Sequence, residues 1–264
     1  MPNAKTHFDD GSTYERFMGR WSRAVGTVFL NWMTLPAGLR WLDVGCGTGA
    51  FTELILDTCS PASVSAVDPA MAQIEYVLRQ PLAQRAEFRV ADAQALPFPD
   101  ANFDVVASAI VINFIEDRPR ALAKMYRVDG GVVAGYVWDF AGDLGPNWPL
   151  RLGMREIGAQ VRQLPGANDT TLSALKALFA GAGLEEITTN TIEVSVDFPN
   201  FDDFWQAQTP SLHPVTKTIV ALSSTDRSRL IPVTVRAARS LSQLAFEAGM
   251  GAVKERQGRR SRLE

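Results

Sequence analysis

Cysteine and histidine are the scarcest chemistry-bearing residues in this 264-residue chain, with two of each. Two cysteines, Cys46 and Cys59, cannot build a disulfide framework, and with two scattered histidines they do not supply a metal site. No apolar run approaches the ~18 residues of a membrane span, and Met1 to Gly11 is polar, without the apolar core of a signal peptide. The expectation is a cytoplasmic protein with no metal and no membrane span. A basic excess is missing as well: the net charge is −3 and the pI about 5.5. General nucleic-acid binding relies on a positive surface that displaces counterions, so no nucleic-acid partner is expected. The exception is the end of the chain, where Lys254, Arg256, Arg259, Arg260 and Arg262 face only Glu255 and Glu264. It reads as a basic, disordered tail over residues 255–264.

What is present is ordinary for a globular domain, at 46% hydrophobic and 21% charged residues. The most informative segment is Trp41-Leu42-Asp43-Val44-Gly45-Cys46-Gly47-Thr48-Gly49-Ala50, an apolar strand that ends in an acid and passes through alternating glycines. Phe51, Leu54 and Ile55 then recur at helical spacing. Glycines at Gly45, Gly47 and Gly49 permit positive φ and close ligand approach, and the N–H groups that open the helix face the same ligand. A nucleoside ligand is implied. The loop does not by itself choose the cofactor, because Gly45, Gly47 and Ala50 also satisfy the dinucleotide fingerprint with Asp68 about 20 residues on. Asp43 favours a cationic aminoacyl ligand over a pyrophosphate, since a carboxylate attracts the first and repels the second.

Three further signals follow in order. Ser63 to Asp68 is a short strand ending in an acid, and Asp68-Pro69 resembles a helix cap with proline in the first turn. Phe88 and Val90 alternate toward Asp92-Ala93. After Ala95-Leu96-Pro97-Phe98-Pro99-Asp100 comes a buried-type strand, Phe103 to Ala109. The series resembles the class I S-adenosylmethionine-dependent methyltransferases, nearest the branch of the ubiquinone and menaquinone C-methyltransferases, from about Tyr14 to Trp138 and more loosely beyond. The resemblance implies an α/β, Rossmann-like fold: a seven-stranded, mostly parallel sheet with helices on both faces and a helical lid. It also implies S-adenosyl-L-methionine as cofactor and a small or medium-sized organic molecule as methyl acceptor.

Carried onto this chain, the resemblance gives Asp43, Gly45, Gly47 and Gly49 to the methionyl part. Asp68 goes to the ribose hydroxyls, Met71 to the adenine face, Asp92 and Ala93 to the adenine edge, and Ala109 to the pocket wall. Asp68 as a helix cap and Met71 as a core residue are the competing readings. Arg20 and Trp21, in the aromatic run from Tyr14, either cover the cofactor, with Arg20 on its carboxylate, or belong to a helix packed on the sheet.

Residues 1–139 read as an N-terminal helix and the cofactor-binding half, 140–168 as a lid with a helix over Leu150 to Gln163, and 169–254 as the remaining core. The fifth strand is expected over Val132 to Trp138. The shortened turn Arg127-Val128-Asp129-Gly130-Gly131 before it suggests that the preceding helix ends early. Thr170 or Thr171 caps a helix carrying Leu172, Leu175, Leu178 and Phe179. Two alternating segments, Ile192 to Phe198 and Leu244 to Ala252, suit antiparallel strands. Between them a second insertion, 200–243, carries helices near Phe201 to Ala207 and Thr225 to Ser242.

Methyl transfer from a sulfonium needs a base only for some acceptors, so positioning and desolvation carry most of the expected mechanism. Asp139 and His213 are the candidate catalytic residues, although a strand-end carboxylate and a structural loop histidine are the favoured readings of the two. Asn113, after the fourth strand, is placed to orient a substrate. A catalytically silent cofactor-binding partner subunit and a nicotinamide-dependent oxidoreductase are the rival functions.

Overall fold

The computed structural model describes residues 11–140, 145–161, 166–210, 214–240 and 246–254. Helix α1 (Gly11–Met33) precedes strand β1 (Arg40–Val44), α2 (Ala50–Thr58), β2 (Ser63–Asp68), α3 (Met71–Leu78), β3 (Glu87–Val90) and β4 (Phe103–Ala109). Then come α4 (Arg118–Val128), β5 (Asp129–Trp138), α5 (Trp148–Glu156), α6 (Leu172–Gly181), β6 (Thr188–Val194), α7 (Phe201–Gln208), α8 (Pro214–Ala221), α9 (Ser224–Ser240) and β7 (Phe246–Lys254). The seven strands form one sheet in the order β3-β2-β1-β4-β5-β7-β6. Strands β1 to β5 pair in parallel, and β7 runs antiparallel to both β5 and β6. This is the expected doubly wound sheet. Its order reverses between β1 and β4, and in such sheets ligands bind outside the strand carboxyl ends at that switch point.

Alternate residues of each strand feed opposite faces. Trp41, Val105, Ala107, Val132, Ala134 and Tyr136 meet Trp21, Val25 and Phe29 of α1 and Phe51 and Ile55 of α2. Leu42, Val44, Val106 and Val133 meet Leu122 and Met125 of α4 and Leu175 and Phe179 of α6. Thr171, rather than Thr170, caps α6, its hydroxyl accepting from the Ala174 N–H at 3.2 Å.

Several boundaries differ from the sequence reading. Helix α4 does not end early; it runs to Val128 and passes directly into β5, whose first residue is Asp129. The shortened turn is absorbed by the strand: Asp129 Oδ1 accepts from Gly131 N–H at 3.0 Å, and the β4–β5 register shifts between Phe103 and Val105. Strand β6 starts and stops four residues earlier than expected, because its ladder ends at the Val194–Phe246 pair. Phe198 then turns onto Trp21 and Arg20. Helix α5 ends at Glu156, and α8 occupies a stretch read as part of a loop. The two insertions meet: Leu150 and Met154 of α5 pack with Val215 and Ile219 of α8 and Leu230 of α9, apart from the sheet's own cores. His213 and the tail over 255–264 lie outside the described residues.

Candidate functional site

The glycine loop is held from below. Gly45 N–H and Cys46 N–H both donate to Val67 O, at 2.7 and 3.0 Å, tying the end of β1 to the end of β2. Gly45, Gly47 and Gly49 all have positive φ, at 83°, 53° and 89°. Two of the three glycines are needed by the protein's own packing as well as by any ligand. A Cβ on Gly45 would stand 2.5 Å from Val111 Cγ2, and one on Gly49 would stand 2.6 Å from Leu82 Cδ2.

Asp43 is fully buried. Its Oδ2 accepts from Thr52 Oγ1 of α2 at 2.7 Å, while its Oδ1 has no partner among the described residues. Burial pushes its carboxyl up to about 7, against the opposing hydrogen bond from Thr52 and with a further push from the nearby charge of Asp68. An orphaned oxygen on a buried acid is costly unless something binds it, and a cation satisfies both the charge and the lone pair. Thr48 Oγ1, in the loop itself, is also buried without a partner among the described residues.

Asp68 is not the cap of α3. That position belongs to Ala70, and Pro69 lies outside the helix. The Asp68 carboxylate instead accepts from Ala70 N–H at 2.8 Å and from Gly47 N–H at 3.0 Å, so it fixes the loop's middle glycine against the end of β2. Desolvation raises its pKa as well. Met71 is 61% exposed at the start of α3, which excludes the core reading and leaves an apolar side chain free for a ligand. Asp92 caps a single 3-10 turn (Ala93–Ala95), accepting from Gln94 N–H at 2.8 Å, and Ala93 is buried beneath it.

At the switch point's other wall, Ala109 ends β4 half-buried and Ile110 follows at φ 61°, a region that branched side chains rarely adopt. Ile110 is held there by burial and by its N–H to Tyr136 O at 2.8 Å, in the turn that brings Val111 against Gly45. Asn113 is 2% exposed, and neither polar atom of its carboxamide has a partner among the described residues. Asp139 lies half-buried one residue past β5, with a partner of its own.

The N-terminal pair is placed elsewhere. Arg20 Nη1 bonds Asp203 Oδ2 of α7 at 2.7 Å, and its guanidinium stands 5.1 Å from the Phe198 ring centroid. Trp21 is 2% exposed and packs edge-on to Trp138 at 5.9 Å. Both take part in the packing of α1, Trp21 against the sheet and Arg20 against α7. Gln208, which nothing in the sequence marks, is completely buried at the end of α7 with both amide atoms unpartnered among the described residues. Cys46 and Cys59 are free thiols, and burial pushes both up, Cys46 well above its usual range. The described residues hold no cluster of metal-ligand type and no helix long and apolar enough to cross a membrane.

Comparison with known proteins identifies the segment that carries this geometry. A methyltransferase-domain family matches residues 42–134. The malonyl-[acyl-carrier protein] O-methyltransferase of Halorhodospira halophila is 38% identical over 129 residues, covering 47% of this chain and 41% of that protein. The demethylmenaquinone methyltransferase of Roseiflexus castenholzii is 34% identical over 101 residues, covering 38% of this chain and 42% of that protein. The chain thus spans about half the length of the curated relatives it matches. A solved structure from an antibiotic biosynthesis pathway of Anabaena variabilis superposes with a TM-score of 0.62 at 15% identity, covering 89% of this chain and 99% of that one. That likeness extends the fold well beyond the matched segment.

Proposed function

We propose, on the premise that residues 42–134 of this chain belong to the methyltransferase-domain family of class I, that the protein transfers a methyl group from S-adenosyl-L-methionine to a small organic acceptor. The observation that carries this reading is the Oδ1 of Asp43, unpartnered among the described residues, on a buried acid beside a glycine turn at the topological switch point. Such an oxygen suits the ammonium of an aminoacyl group and repels a pyrophosphate. When bound, the cofactor supplies a methyl group already activated by its sulfonium.

The chain's own residues have four tasks. Asp43 holds the ammonium, and the loop fixed by Val67 O and Asp68 shapes the methionyl and ribose side. Met71, Asp92 and Ala93 receive the adenine, and Ala109 closes the wall. Asn113 orients the acceptor. Helices α5, α7, α8 and α9 exclude water, so that donor and acceptor meet in a dry site, where positioning supplies most of the rate. The family match ends at residue 134, before these helices, so it says nothing about the acceptor. A malonyl-[acyl-carrier protein] and a demethylmenaquinone are the first acceptors to try, because two of the aligned relatives are named for them.

Calorimetric titration with S-adenosylmethionine, S-adenosylhomocysteine and NAD tests the reading. Binding of the first two and not the third is the expected result; binding of NAD alone would replace it with a nicotinamide-dependent activity.

A further inference from the structure

Gln208 and Asn113 are both almost or wholly buried carboxamides whose four polar atoms lack partners among the described residues. A buried amide left unpaired loses its hydration without compensation, and native proteins tolerate few such groups. Two such carboxamides stand out, one after β4 and one at the end of α7. Asn113 lies four residues past the end of β4. Gln208 lies one helical turn beyond Phe204 of α7, on the same face. Phe204 stacks edge-on with Phe198 at 5.3 Å, Phe198 meets Trp21 at 6.3 Å, and Trp21 meets Trp138, the last residue of β5. This run of ring contacts leads from α7 to Trp138, at the carboxyl end of the strand next to β4. Asn113 follows the carboxyl end of β4, and α7 is linked through those rings to the same end of the neighbouring strand, the end at which such sheets bind ligands.

We propose that Gln208 and Asn113 are the acceptor-reading residues of this site, and that the acceptor carries hydroxyl or carbonyl groups. The proposal rests on the methyltransferase reading and adds its substrate class. Each carboxamide presents both a donor and an acceptor, which matches a hydroxyl, a carbonyl or a carboxylate and leaves a hydrocarbon surface unsatisfied. A site built to hydrogen-bond its substrate rejects analogues that lack the polar group far more strongly than an apolar pocket rejects extra methylenes. The stability lost to two orphaned amides in the free protein is the counterpart of that selectivity.

The test uses the full chain. If the amides wait for an acceptor, Gln208→Met and Asn113→Leu remove an unsatisfied group without losing a bond. Each should raise the melting temperature by about 2–4 °C while S-adenosylhomocysteine binds as in the wild type. A crystal structure of wild-type protein with S-adenosylhomocysteine should show ordered water on both amides, continuous with the crevice beside the sulfur. An unchanged or lowered melting temperature for both variants, or a single enclosed water joining each amide to the protein, would make them structural residues and overturn the proposal. Failure of the methyltransferase reading is a separate outcome, seen as wild-type protein that does not bind S-adenosylhomocysteine at all.

Discussion

Thr52 Oγ1 reaches Asp43 Oδ2 at 2.7 Å from the first turn of α2, leaving Oδ1 of the same carboxylate buried and without a partner among the described residues. One oxygen fixes the orientation of the acid and the other is available. With Asp43 as the proposed ammonium partner, the pair makes cofactor binding a proton-linked event.

The Asp43 carboxyl is raised to about 7 in the folded chain, from 3.8. A bound ammonium favours the ionised form, so binding releases a proton below pH 7. Affinity for S-adenosylhomocysteine should rise on the order of tenfold between pH 5.5 and 7.5, and Asp43→Asn should bind weakly with no such rise. Calorimetry at both pH values checks this; a flat wild-type profile would remove the ammonium from Asp43.

The same shift fixes a stability trend in the free protein. Because the folded pKa lies above the unfolded one, the unfolded chain holds fewer protons between about pH 4 and 7, and stability falls through that window. Asp43→Asn should therefore melt higher than wild type at pH 8 and close to it at pH 4, provided the new carboxamide keeps the Thr52 bond. Thermal melts of ligand-free protein across this range are the measurement. A variant less stable at pH 8 would mean that the acid holds the fold together.

Gly45 and Gly49 should behave differently from Gly47. A methyl group at either outer position meets Val111 or Leu82 at about van der Waals overlap in a left-handed backbone. Gly45→Ala and Gly49→Ala should each lose about 2–4 kcal/mol, or roughly 5–15 °C of melting temperature. Gly47→Val should instead act on the ligand, abolishing S-adenosylhomocysteine binding through the space and the N–H geometry at the loop's centre. A folded Gly47→Val protein of normal affinity would sink the loop assignment.

The end of the first insertion is pinned. Arg118 of α4 donates to the carbonyls of Asn113 and Ile115 at 3.4 and 3.2 Å and pairs with Asp169, while a Cβ on Gly166 would stand 2.4 Å from Asn113 O. Ligand-driven ordering is thus expected in the stretch between β5 and Gly166 and in 200–243, with residues 166–171 already fixed. Hydrogen exchange with and without S-adenosylhomocysteine should show added protection in the first two segments only. Arg118→Ala should loosen 166–171 without weakening cofactor binding; equal protection in all states would leave the helices as static cover.

The cofactor half was legible because local rules sufficed there. Glycine alternation, strand-end acids and apolar runs are written within a few residues of one another, and Asp43, Gly47, Asp68 and Ala109 fell where those signals placed them. Trp21 and Arg20 were ambiguous because an aromatic helix face looks the same whether it covers a ligand or a sheet, and their contacts with Trp138 and Asp203 are long-range. Helix α8 was hidden by Pro210 and Pro214, of which the second opens the helix and does not break it. Gln208 carried no signal, since its significance lies in what fails to reach it across the tertiary structure. The joining of α5 to α8 and α9 is likewise long-range.

Mechanism gives the last expectation: turnover should depend more on positioning than on one titrating base. Asp139 is half-buried beside β5 and already has a partner, and His7 and His213 both fall outside the described residues. The activated methyl needs alignment and exclusion of water before it needs proton transfer. Once an acceptor is in hand, Asp139→Asn and His213→Ala should each lower turnover by roughly tenfold or less, against the ~10²–10⁴ lost with an essential general base. Kinetics over a range of pH separate the cases. A variant that folds, binds S-adenosylhomocysteine, loses a factor on the order of 10³ and no longer shows the wild-type pH dependence would identify the base. The proton would then be removed by that side chain, and alignment by Asn113 and the helical cover would account for only part of the rate.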